Sequence, residues 1–249
     1  MSRLRIVGSP LSPYVRKVLV CLELKGLAWE IDPIVPFFGD DRFTALSPLR
    51  RIPVLIDGEL ALSDSSVICQ YLEDRQPEPA LYPADVADRA RARWLEEYAD
   101  TRMGDVFIWR LFNQVAIRPA VFGEKGDPEL VAKTLAEDVP AVLDYLESLA
   151  PRDGFLFGPA LGIADISFAA FFRNAAFARF AIDAARWPKS AAFVARALAT
   201  PPFAKLAALE DRMIRTPIPA QRKLLGELGV ALTPETYGTD RPRRGVMPI

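Results

Sequence analysis

The chain has 249 residues, 51% hydrophobic and 25% charged, with a net charge of −1. This gives apolar mass for one large domain or two ordinary ones, and no basic footprint for a nucleic-acid partner. It contains no histidine, which excludes Ser-His-Asp and Cys-His nucleophile systems, His-containing zinc sites and HExxH metalloproteases. No 18-residue apolar run is free of charge, so no membrane span is predicted. The opening Met1-Ser2-Arg3-Leu4-Arg5 has no signal-peptide apolar region, and cytoplasm is the expected location. The two cysteines, Cys21 and Cys69, form no CxxC; both fall in predicted helices and read as buried small hydrophobes.

In the first third, Leu4 and Ile6 alternate with Arg3 and Arg5, and Val7 follows, which predicts a short strand. Gly8, Ser9 and Pro10 break it. Val15, Val18, Leu19 and Leu22 then follow helical spacing. Pro13 suits a first helical turn, and Gly26 sits where that helix should stop. Ser12 is therefore an expected N-cap, beside free N–H groups and the positive end of the helix dipole, where an anion is stabilised. Arg51-Ile52-Pro53 leads into the apolar run Val54-Leu55-Ile56, and Asp57-Gly58 predicts a hairpin into Glu59–Leu62. Pro53 belongs at a strand start, with its peptide bond open to either isomer. Asp64-Ser65 then opens a helix running to about Arg75, with Val67, Ile68, Tyr71 and Leu72 as its apolar stripe. The N–H groups there and the Ser65 hydroxyl suit a carboxylate, and the Asp64 carboxylate suits an ammonium group.

Residues 76–83 hold three prolines and read as a boundary. Beyond it the pattern is helical: Arg89 to Phe112, then Leu130 to Leu149 with a kink at Pro140, then Ala164 to Arg179, apolar nearly all round. Further helices start at Trp187-Pro188 and at Pro201-Pro202, the latter reaching about Met213. Residues 216–249 are rich in proline, from Pro217 to Pro248, with one short helical piece at Arg222 to Leu228 and a basic cluster of Arg241, Arg243 and Arg244. That stretch reads as wrapping the surface rather than crossing a cleft.

With these residues in hand, residues 1–80 resemble the thioredoxin-like domain of cytosolic glutathione transferases. The matching motifs are the strand–Ser12-Pro13–helix turn, the Ile52-Pro53-Val54-Leu55 segment where the family has a cis-proline, and Asp64-Ser65 in place of Glu-Ser. The remainder, to about residue 215, resembles the family's all-helical domain. Gly158 to Ile166 is similar to its buried capping segment, except that Gly162 stands where the family has Ser or Thr, so only the Asp165 half of that capping box remains.

The resemblance implies an α/β plus all-α protein. A thioredoxin-like domain spans 1–80, an all-helical domain 86–215 and a Pro-rich extension 216–249. It implies a glutathione transferase that conjugates the glutathione thiolate to a small electrophile or performs a related step such as peroxide reduction. The alternative is a non-catalytic glutathione- or ligand-binding scaffold of the same fold. Glutathione is the expected cosubstrate, with no metal, and a homodimer is the expected assembly, with neither nucleic acid nor membrane as partner. Ser12 is the expected catalytic residue, with Ser9 in the same turn as the alternative. Ile52 beside Pro53, then Asp64 and Ser65, are expected to bind glutathione, with Arg51 or Arg50 on its glycine carboxylate. Tyr14, Phe38, Met103 and Phe107 are expected to line an electrophile site between the domains.

Overall fold

The computed structural model describes residues 3–245; Met1, Ser2 and residues 246–249, with Pro248, lie outside the described residues. The chain divides into two compact units, one of Met1–Pro79 with Lys205–Ile249 and one of Ala80–Ala204.

The first unit is built on a four-stranded sheet of β1 (Leu4–Val7), β2 (Trp29–Asp32), β3 (Val54–Asp57) and β4 (Leu60–Ser63), in the order β2-β1-β3-β4. β1 pairs parallel with β2, and the other pairings are antiparallel. A parallel neighbour demands a crossover, which α1 (Pro13–Leu24) supplies. α1 stops at Leu24, and Gly26 follows with a φ of +64°, the left-handed region that glycine enters without strain. α2 (Asp41–Leu46) follows β2 after a 3-10 turn at Pro36–Phe38, and α3 (Ser65–Arg75) follows β4. This is the thioredoxin-like arrangement. Strand alternation divides the core. Val7, Val54 and Ile56 pack with Ile34 and Phe43 into one buried cluster, while Ile6 and Leu55, on the opposite parity, are buried as well.

The second unit is helical. α4 (Val86–Tyr98) is capped by Asp85, which accepts from the N–H groups of Ala87 and Asp88 at 2.9 Å each. It runs without a break into a wider-wound segment, Ala99–Phe122, which stops at Gly123 in the left-handed region. The expected helix end near Phe112 is therefore ten residues early. α5 (Pro128–Lys133) passes through another wide turn, Thr134–Asp138, into α6 (Val139–Leu149), where Pro140 occupies the first helical turn. α7 (Ile163–Phe177) is the buried central helix, and α8 (Pro188–Leu198) follows. Before α7, Asp165 accepts from Gly162 N–H at 2.9 Å and from Leu156 N–H at 2.8 Å. Gly162 has no side chain to return the bond, so the capping box is half formed. A Cβ on Gly162 would stand 3.1 Å from the Leu81 carbonyl oxygen.

α9 (Pro201–Met213) and α10 (Ile218–Glu227) are the last helices among the described residues. From Lys205 onward the chain packs on the sheet unit. Buried Glu210 pairs with buried Arg16 of α1 at 2.5 Å. Leu232 bridges to Ile31 of β2. Among the described residues no helix is long and apolar enough to cross a membrane.

Candidate functional site

The sheet register sets the site. Val7 is paired with Val54, and Val54 with Ser63. The row Val7–Val54–Ser63 therefore ends three strands together. The turn Gly8–Ser12, the dipeptide Ile52-Pro53 and the helix start Asp64-Ser65 leave the same edge of the sheet.

Gly8 lets the first two meet. Its φ is +145°, and a Cβ there would fall 2.7 Å from Val15 Cγ2 and 2.9 Å from Ile52 Cβ. No other residue allows the Ser12 turn to lie so close on Ile52. The Ile52–Pro53 bond is cis. Ser12 is the N-cap of α1, its Oγ accepting from Val15 N–H at a long 3.5 Å, and it is half-buried. Ser9 is 3% exposed, and its Oγ takes Leu11 N–H at 3.4 Å. Of the two hydroxyls, that of Ser12 is the more accessible and stands at the helix N-terminus.

Asp64 is exposed and caps α3, its Oδ1 accepting from Ser66 N–H at 2.9 Å and Val67 N–H at 3.2 Å. Its φ of +102° and ψ of +123° are strained for a residue with a Cβ. Neither its Oδ2 nor the Ser65 hydroxyl has a partner among the described residues. α1 and α3 are tied side by side: Lys17 Nζ donates to Ser66 Oγ at 3.0 Å, and the Cys21 and Cys69 sulfurs lie 3.6 Å apart. Two positive helix ends and a buried ammonium thus stand together, a setting that favours anions. Lys17 was not among the expected site residues. Its signal was its spacing, four residues before Cys21, matched by Ser66 three residues before Cys69.

The two arginines separate. Arg51 is exposed. Arg50, with φ +50°, turns inward: Nη2 donates to the Gly39 carbonyl at 2.7 Å and Nη1 to Thr44 Oγ1 at 2.5 Å. Arg50 therefore fastens the α2 segment and is not available to a ligand.

The expected electrophile wall also divides. Tyr14 is half-buried in the first turn of α1, and Phe38 is half-buried in the 3-10 turn. Met103 and Phe107 are fully buried in the helical unit. The Phe107 ring lies 5.2 Å from that of Phe172 and 6.4 Å from that of Phe180. These two side chains fill a core and line no open wall, because a helix's apolar stripe reports burial and not what it is buried against.

Residues 6–80 match the family model for the glutathione S-transferase N-terminal domain. The chain is 32% identical over 174 residues to glutathione S-transferase 3 of Zea mays, covering 68% of this chain and 77% of that one. It superposes on the crystal structure of a glutathione S-transferase from Rhodospirillum rubrum with a TM-score of 0.75 and 28% identity, over 82% of this chain and 91% of that one. A glutathione S-transferase from Methylobacterium radiotolerans, solved in complex with glutathione sulfonate, is similar with a TM-score of 0.67 and 27% identity, over 83% and 95%. The likeness runs through both halves of the chain, and with the site geometry it leads to one conclusion: the chain belongs to the glutathione S-transferase family.

Proposed function

We propose that this glutathione transferase joins the thiolate of glutathione to a small electrophile, with Ser12 as the residue that stabilises the thiolate. A free thiol titrates near about 8.5, so only a few per cent is ionised at neutral pH. A hydroxyl donor and a helix N-terminus both favour the ionised form. Ser12 offers both at one point, and a chain without histidine has no imidazole to serve as base. The nucleophile arrives with the substrate; the protein lowers its pKa and holds it in place.

The rest of the row supports a placement for the peptide. The Ile52 main chain beside cis-Pro53 pairs with the cysteinyl backbone. Asp64 Oδ2 takes the γ-glutamyl ammonium group, and Ser65 with the N–H groups of α3 takes its carboxylate. Arg51 takes the glycine carboxylate. Tyr14 and Phe38 border the electrophile. The observation that carries this reading is the shared sheet edge fixed by the Val7–Val54–Ser63 register. The test is calorimetry with glutathione followed by a panel of chromogenic electrophiles and hydroperoxides. Saturable binding with turnover is expected. Absence of glutathione binding ends the reading, and binding without turnover on any electrophile leaves a scaffold.

A homodimer is part of the proposal. β4 is an edge strand, and Leu60 on it and Val67 on α3 are exposed apolar side chains. A second copy would cover them, and two-fold closure is the commonest soluble assembly.

A further inference from the structure

Asp32, the last residue of β2, is a fully buried carboxylate. Its partners come from the far end of the chain. Oδ1 accepts from Arg222 Nη1 at 2.9 Å and Thr236 Oγ1 at 2.8 Å, and Oδ2 accepts from Tyr237 N–H at 2.7 Å. Burial pushes this carboxyl above its ordinary value in spite of those donors. A buried charge of this kind is seldom a net source of stability.

The segment that Asp32 anchors is a strap. Thr233 N–H donates to the Ile31 carbonyl, and Tyr237 packs beside the cluster of Val7, Ile34 and Phe43. Beyond Tyr237 the strap pairs with the turn between β2 and α2. The Tyr237 carbonyl accepts from Asp40 N–H at 2.8 Å, Thr239 N–H donates to the Phe38 carbonyl at 2.7 Å, and Arg243 N–H donates to the Phe37 carbonyl at 2.7 Å. Arg42 closes the far side, donating to the Thr236 carbonyl at 2.7 Å and lying over the Tyr237 ring. On the inner side Arg50 holds the Gly39 carbonyl and Thr44. Ser47 Oγ bridges both the N–H and the carbonyl of Arg51.

We propose that Asp32 is a positioning residue for glutathione: by anchoring the strap it fixes the backbone of Phe37–Asp40 and, through Arg50, the place of Arg51. The inference rests on the glutathione site proposed above. It assigns Asp32 no contact with substrate. The Ser12 turn is held independently, because Gly8 N–H bonds to the Asp32 main-chain carbonyl at 2.8 Å and needs no side chain. The strap therefore controls affinity for the glycine end and leaves the thiolate alone.

The experiment uses the full chain with Thr236→Val, Thr236→Ser and Asp32→Asn. Amide exchange of residues 36–46 is measured without ligand, then KM and kcat for glutathione and the pKa of the bound thiol. Thr236→Val removes the bond to Asp32 and also the one that Gly238 N–H gives to Thr236 Oγ1. It should speed exchange in that segment and raise KM roughly threefold to tenfold, less than the full value of a hydrogen bond to a charged group because the loss reaches Arg51 only through the segment. Its kcat and thiol pKa should stay at wild-type values, and Thr236→Ser should restore KM. A folded Thr236→Val with wild-type KM overturns the inference, as does a parallel change in KM, kcat and thiol pKa. Asp32→Asn should exceed Thr236→Val in its effect on KM; if it fails to fold, Thr236→Val decides. If wild type binds no glutathione, the site itself falls and the inference with it; normal binding with an unaffected variant overturns the inference alone.

Discussion

Asp64 offers a perturbation in which stability and binding should move in opposite directions. Its φ of +102° lies where a side chain is strained, at about 1–3 kcal/mol. It also caps α3 through Ser66 and Val67 N–H. Asp64→Gly relieves the strain, and loss of a cap to glycine costs only about a few tenths of a kcal/mol. Glycine's greater freedom in the unfolded chain takes back about 0.5–1 kcal/mol. The net expectation is a stability between unchanged and about 2 kcal/mol above wild type. Asp64→Ala keeps the strain and loses the cap, so it should fall about 0.5–2 kcal/mol below. Both variants lose the carboxylate proposed for the γ-glutamyl ammonium. Each should therefore bind glutathione about 1.5–3 kcal/mol more weakly, the value of a hydrogen bond to a charged group. Urea unfolding of the three proteins reads the first effect and calorimetry the second. Equal destabilisation by Gly and Ala would refute the strain argument. Wild-type affinity in both would show that Asp64 is a cap and nothing more.

Ser12→Ala should lower kcat/KM by roughly tenfold to a thousandfold, the range for one preorganised donor to an anion; ultraviolet titration should show the bound thiol pKa rising in Ser12→Ala and not in Ser9→Ala, and the reverse pattern would move the role to Ser9. Light scattering at micromolar concentration should give twice the chain mass, and a particle of 27.6 kDa would dismiss the dimer. Burial raises the Asp165 carboxyl from 3.8 to about 6, against the N–H groups of Leu156 and Gly162. Between about pH 4 and 6 the native state thus keeps a proton that the unfolded chain has lost. Asp165 then contributes stability at low pH, lost as pH rises through that window, by about 3 kcal/mol. Asp165→Asn should remove this slope from the unfolding free energy measured against pH, and parallel curves for the two proteins would be decisive against it.

The three site segments were legible because each is a boundary with its own local chemistry. Ser12-Pro13 starts a helix, Ile52-Pro53 starts a strand and Asp64-Ser65 starts another helix, and each choice of residue is explained within four positions. β2 was not legible: Trp29–Asp32 carries two acidic residues in four, and it is a strand because β1 and the C-terminal strap pair with it. α2 has six residues, too few to show a period, and owes its start to Asp40. Arg50 and Arg51 are chemically the same in sequence; the left-handed backbone at Arg50 is what sends one inward. The continuation of α4 to Phe122 was hidden because the wider winding breaks the 3.6-residue period: it buries Asn113 and Gln114, exposes Val115 and carries Pro119 within it.

What separates the legible from the illegible also separates the two ends of the proposed site. The thiol end depends on contacts of short reach and on the sheet register: Gly8 against Ile52, Ser12 at its own helix, Asp64 at its own. The glycine end depends on residues about 200 positions away, since Asp32 meets Arg222, Thr236 and Tyr237 before Phe37–Asp40 can be held. Substitutions near Ser12 should then act on the chemical step, while substitutions in the strap should act on the amount of glutathione needed to reach it. A single chain can alter the second without disturbing the first, because no side chain of the strap takes part in the backbone bond that joins Asp32 to Gly8.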